Sequence, residues 1–200
     1  MSLSQKLVRF GAALVLAVSA PLAGASLVSY SSTLSGAAEA PPNGSAGSGA
    51  ATLLIDTLAR SMTLDVNFGG LTGNVTAAHI HCCVAVAGAG TAGVATQVPT
   101  FAGFPAGVTA GTYHQVFDLD LASTWNPTYV TNNGGTVALA ADAFLAGLDV
   151  GRAYLNIHTN AFPGGEIRGF LSRDVPEPAL PGLLGVAAAC GWLVRRRRTG

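Results

Sequence analysis

The stretch from Ser61 to Phe68 constrains this chain most. Met62, Leu64, Val66 and Phe68 fall on every second position, with Thr63, Asp65 and Asn67 between them. Side chains of an extended strand point alternately to opposite faces, so this pattern is a strand with one face buried and one in water. Ala50–Ile55 pairs with it as a hairpin, turning around residues 57–60. The same period of two recurs in Leu27–Leu34, Val75–His81, Tyr113–Leu119, Arg152–His158 and Glu166–Ser172. Gly-, Pro- and Asn-rich connections separate these segments, including 40–49 and 126–135. Many short strands with such punctuation argue for an all-β domain. A single short helix is expected over Asp142–Leu148, starting near Ala141 or Asp142 and stopped by Gly151. Residues 84–110 are rich in Gly, Ala, Thr and Pro and have little periodicity. They are long for a loop in a compact domain, which points to a functional segment, a flexible one or a lid.

Alternation also sorts the chemistry. His79, His81 and Cys83 share one face of their strand, opposite Ala78, Ile80 and Cys82. In Tyr154–His158, Leu155 and Ile157 form the apolar face and His158 lies on the other. If the two strands are neighbours, three imidazoles converge on the outside of the sheet. Such a trio suits copper or zinc. Cys83 is a further candidate ligand that favours Cu(I), and His114 is another, because its strand has the same outward geometry. Each has a plainer reading: a hydrogen-bonded surface pair for His-x-His, a half-buried small residue for Cys83, a solvent-facing ring for His114. Adjacent Cys82 and Cys83 leave open a disulfide between neighbours or two free thiols. Glu166, Arg168 and Phe170 are expected to face outward, with Ile167 and Leu171 inward. An exposed Glu166–Arg168 pair would be worth well under about 1 kcal/mol. No Ser/His/Asp or Cys/His set has catalytic spacing, which gives hydrolase chemistry no support.

Both ends carry targeting patterns. Lys6 and Arg9 precede an apolar run from Phe10 to Leu22, and Ala23-Gly24-Ala25 supplies small residues for cleavage after Ala25. Residues 1–25 therefore read as a secretory signal peptide. At the other end Val175-Pro176-Glu177-Pro178 precedes an apolar segment, 179–194, and then Arg195, Arg196, Arg197 and Arg198. Sixteen helical residues span roughly 24 Å, close to a hydrocarbon core, and the arginines favour the cytoplasmic side. The formal net charge of zero hides a split. Between residues 26 and 174 only Arg60, Arg152, Arg168 and Arg173 stand against nine acidic residues. An acidic domain without a basic stripe excludes nucleic acid as a partner.

The C-terminal order of Pro-Glu-Pro, short apolar helix and arginine cluster resembles the PEP-CTERM sorting signal of Gram-negative bacteria. That resemblance implies processing by an exosortase after signal peptidase, transient anchoring in the inner membrane, and a mature form at the cell surface or released, often alongside exopolysaccharide. Within the domain, Ser35-Gly36-Ala37-Ala38-Glu39-Ala40-Pro41-Pro42, Gly70-Leu71-Thr72-Gly73, Ala77-Ala78-His79-Ile80-His81, Ala153-Tyr154-Leu155-Asn156-Ile157-His158-Thr159 and Pro163-Gly164-Gly165-Glu166-Ile167-Arg168-Gly169 resemble the CHRD (chordin-type) domain over roughly residues 27–172. A looser likeness runs to copper/zinc superoxide dismutase. It implies a Greek-key β-sandwich or barrel with His79, His81 and His158 as copper-type ligands. No second His/Asp cluster for zinc is present, and Arg168 fits the Gly-Glu-Ile-Arg-Gly pattern rather than a superoxide-guiding position.

The expected protein thus has a signal helix (1–25), an all-β CHRD domain (26–174) and a sorting segment (175–200) with a transmembrane helix at 179–194. Its expected role is that of an exported, non-enzymatic envelope module holding copper or zinc, with exopolysaccharide or an extracellular protein as partner. The competing readings are a dismutase-like oxidoreductase and a metal-free structural or adhesive module.

Overall fold

The computed structural model describes residues 27–174. The signal peptide, the sorting motif, the transmembrane helix and the arginine cluster expected at the two ends lie outside them. Among the described residues no helix is long and apolar enough to cross a membrane.

The strands are β1 (Leu27–Ser35), β2 (Ser48–Asp56), β3 (Ser61–Gly69), β4 (Val75–Cys82), β5 (Gly111–Asp118), β6 (Ala153–Thr159), β7 (Ile167–Phe170) and β8 (Ser172–Arg173), with helices α1 (Pro127–Asn132) and α2 (Val137–Asp149) between β5 and β6. They form one curled antiparallel sheet, a half-barrel, in the order β4-β6-β7-β1-β2-β3-β5, with β8 added beside β1. The all-β expectation holds at this level. β2 and β3 are in register over their full length, from Ser48 opposite Gly69 to Asp56 opposite Ser61. Asp56 Oδ1 closes their turn by accepting from the amides of Leu58 and Ala59, both at 2.9 Å. β1 joins the two halves of the curled sheet: it meets β7 at Ser35 opposite Arg168 and β8 at Ser31 opposite Ser172 and Tyr30 opposite Arg173.

Between the halves lies one apolar cluster. Leu53, Leu64 and Phe117 from one side meet Ile80, Leu155 and Ile157 from the other. Alternation explains the set, since Met62, Leu64, Val66 and Phe68 are all buried while Asp65 and Asn67 are exposed. Burial of such side chains contributes about 1.5–3 kcal/mol each.

α2 begins five residues before the expected Asp142. Thr136 caps it by accepting from the Leu139 amide, and threonine is among the residues favoured at a helix start. α1 occupies what read as a turn-rich connection. Asn126 accepts from the Thr128 amide and Pro127 sits in the first turn, where its missing N–H costs nothing.

Residues 84–110 are not a free loop. They run along the outer edge of β4 and hydrogen-bond to it. Cys82 donates to Gly93 O, Ala95 and Thr96 donate to Ile80 O, and Phe101 donates to Ala78 O. Phe101 and Ala95 are fully buried. The strap covers a strand edge that would otherwise present unpaired backbone groups.

Candidate metal centre

β4 and β6 are antiparallel neighbours, with His79 opposite Asn156, His81 opposite Tyr154, and Ala77 opposite His158. Ala78, Ile80, Leu155 and Ile157 point into the core at zero exposure. The three histidines therefore stand on the other face, as alternation requires. Ring centroids are 5.9 Å apart for His79 and His81, 5.3 Å for His79 and His158, and 6.0 Å for His81 and His158. One nitrogen from each ring lies within 4.8 Å of the other two.

The face is not open, contrary to expectation. His79 is 6 % exposed and His81 9 %, because two connections fold over them. Each ring is held by one backbone carbonyl from those connections: His79 Nε2 by Pro99 O at 2.6 Å, His81 Nδ1 by Ala92 O at 2.9 Å, and His158 Nδ1 by Pro163 O at 3.0 Å. A carbonyl only accepts, so the nitrogen facing it carries the hydrogen. The tautomers follow. His79 Nδ1, His81 Nε2 and His158 Nε2 are lone-pair acceptors, and all three are buried without a partner in the protein. Burial, the largest influence, lowers the pKa of each ring below the usual 6.5, for His81 to about 4. At neutral pH the trio is uncharged, which is the form a metal takes.

Two side chains that the sequence did not place in the site brace this group. Tyr154 stacks on His81, and its hydroxyl contacts both the amide and the carbonyl of Ala92, at 3.3 and 3.4 Å. Arg168 lies over the Tyr154 ring at 4.8 Å and donates Nη1 to Gly90 O at 3.0 Å. Both therefore anchor the strap that supplies the Ala92 carbonyl. The parity of Tyr154, Asn156 and His158 along β6 was the signal that could have placed Tyr154 in the site.

Other candidates lie elsewhere. Cys83 is disulfide-bonded to Cys82 across a cis peptide. β4 ends at Cys82, so Cys83 lies beyond the alternating segment, and it packs near Tyr129 and Ala143 beside the core. Its sulfur is not a thiolate available to a metal. His114 sits on the solvent side of β5, its Nδ1 2.7 Å from Asp65 Oδ1 on the facing strand, and is not among the grouped histidines.

The outward, exposed Glu166–Arg168 pair is also corrected. Glu166 is fully buried and Arg168 is 5 % exposed. The Glu166 carboxylate accepts from Ser45 Oγ at 2.6 Å, the Thr72 amide at 2.5 Å, the Gly73 amide at 3.1 Å and Thr159 Oγ1 at 2.6 Å. Burial raises its pKa, but these four donors outweigh it and leave the pKa lowered. Arg168 instead has Nε 3.9 Å from Glu39 Oε2.

A β-sheet domain whose outer layer gathers three neutral histidines beneath a strap is the class defined by fold and site. The CHRD domain model matches residues 30–171, so the chain belongs to the CHRD domain family. No curated protein and no solved structure matches it.

Proposed function

We propose that this CHRD domain is an extracytoplasmic module that holds one copper or zinc ion through His79 Nδ1, His81 Nε2 and His158 Nε2. The observation that carries the reading is the set of three buried imidazole acceptors with no protein partner, each fixed in tautomer by a carbonyl on its far side. Buried acceptors without partners are costly, and a cation is the chemistry that satisfies three at once. The backbone carbonyls are the outer partners that metal-bound histidines ordinarily have. Imidazole ligands suit copper and zinc, and three of them leave further coordination positions for water or a partner's donor.

In this reading the protein is exported, processed by signal peptidase and by an exosortase at Val175-Pro176-Glu177-Pro178, and displayed or released outside the inner membrane. Copper or zinc would be its only cofactor, exopolysaccharide or an extracellular protein its partner, and the module would not be an enzyme. The oxidoreductase alternative is separated by assay of the metallated protein for superoxide turnover.

The test is elemental analysis of the native secreted form, purified without a histidine tag. About one copper or zinc per chain is expected, and His79→Ala or His158→Ala should reduce it to background. A metal-free wild-type protein that also fails to take up added copper or zinc sinks the proposal.

A further inference from the structure

Beside the histidines lies an ionisable group that the proposed metal centre does not use. Glu39 follows a 3-10 turn, Gly36–Ala38, and is 7 % exposed. Asn156 Nδ2 donates to its Oε2 at 3.3 Å. Its Oε1 and the Asn156 Oδ1 are both buried and both lack a partner. Both lie close to Gly165. A Cβ added to Gly165, whose φ is +130°, would stand 2.7 Å from Oε1 and 2.6 Å from Oδ1. Two buried acceptor oxygens without a donor are costly, and a proton on one of them would satisfy both. Arg168 is the charged group facing Glu39, yet it gives Nε to Ala38 O and Nη1 to Gly90 O rather than a fork to the carboxyl.

We propose that Glu39 is a proton-binding site of the folded domain: Oε1 carries the proton and donates it to Asn156 Oδ1, closing a two-bond acid–amide ring, and loss of that proton loosens residues 36–43 from the sheet. The inference goes beyond the metal reading and does not depend on it. Burial, the largest influence, raises the carboxyl from its usual 4.5 to about 7 against the pull of Arg168 and Asn156. The other ionisable groups nearby are engaged: Glu166, next to Gly165, with its four donors, and His79, across from Asn156, with Pro99 O.

The sign follows from linkage. A carboxyl whose folded pKa lies above its unfolded one stabilises fully below about 4.5, and that stability is lost as pH rises through about 7. The segment it would release is also held by Asn43, whose Nδ2 donates to the carbonyls of Gly165 and Glu166 at 3.3 and 3.0 Å. A cleft of about 290 Å³ separates residues 39–43 from 161–165, the loop that contributes the Pro163 carbonyl. The structure thus carries a pH-sensitive latch facing that loop.

The chain has three glutamates, Glu39, Glu166 and Glu177, so carboxyl ¹³C NMR of the metal-stripped full-length protein resolves the question. One resonance, absent from Glu39→Gln, should titrate with a midpoint near 7. A midpoint in the ordinary carboxylate range overturns the proposal. Glu39→Gln preserves two hydrogen bonds to Asn156, so its thermal midpoint minus that of wild type should rise from about pH 4.5 to pH 7, the histidines contributing equally to both. Equal slopes in the two proteins also overturn it.

Discussion

Tyr154 lies flat against His81, with ring centroids 4.7 Å apart and planes 3° from parallel. The pair is cross-strand, one residue from β6 and one from β4, and the tyrosine hydroxyl reaches the same Ala92 carbonyl that fixes the histidine tautomer. One side chain therefore packs the imidazole and steadies its hydrogen-bond partner.

Replacing Tyr154 separates the two roles. Tyr154→Phe keeps the stack and loses the contacts to Ala92, for an expected loss of about 1 kcal/mol. Tyr154→Ala opens a hole under His81 and Arg168 and should cost about 3–5 kcal/mol. Urea unfolding of both variants checks the order, and equal losses would show that the ring contributes nothing.

The metal-free domain should weaken in acid. His81 has its folded pKa depressed from 6.5 to about 4, and those of His79 and His158 are lowered too. A depressed pKa gives stability that is present above about 6.5 and lost as pH falls through the folded value. His81 alone corresponds to about 3 kcal/mol across that window. Unfolding curves in the Glu39→Gln background, where the opposing carboxyl is silent, should show stability rising with pH from about 4 to 6.5. A flat profile contradicts the burial argument.

Glu166 should be a stability residue. Its carboxylate gathers two amides and two hydroxyls from four separate positions, tying residues 45, 72, 73 and 159 together. Glu166→Ala leaves buried donors unsatisfied and should cost at least about 3 kcal/mol. Thermal denaturation reads the loss, and a change below about 1 kcal/mol would mean that water replaces the carboxylate without penalty.

Gly147→Ala should act against the usual helix preference. Alanine ordinarily stabilises a helix interior over glycine by up to about 1 kcal/mol. In α2, however, an added Cβ would press on the sulfurs of both Cys82 and Cys83. Overpacking of this kind costs about 1–3 kcal/mol, so the variant should unfold at lower urea than wild type.

Much of this was legible from parity alone. Alternation put Ala78 and Ile80 inside, the three histidines together on the opposite face, and Met62 to Phe68 in the core. It did not reveal that the face is covered, because the covering carbonyls of Ala92, Pro99 and Pro163 come from segments without any period. For the same reason Glu166 and Arg168 read as exposed when both are buried. Cys83 was misplaced because parity holds only along a strand, and β4 ends one residue earlier, at Cys82. The early start of α2 was missed because Thr136 was not weighed as a cap.

The strap along β4 also bears on how such modules behave side by side. By hydrogen-bonding residues 93–101 to its own border strand, each copy seals off that margin. A neighbouring molecule finds no open margin there to extend the sheet, so close approach of copies does not turn β4 into a seed for fibres.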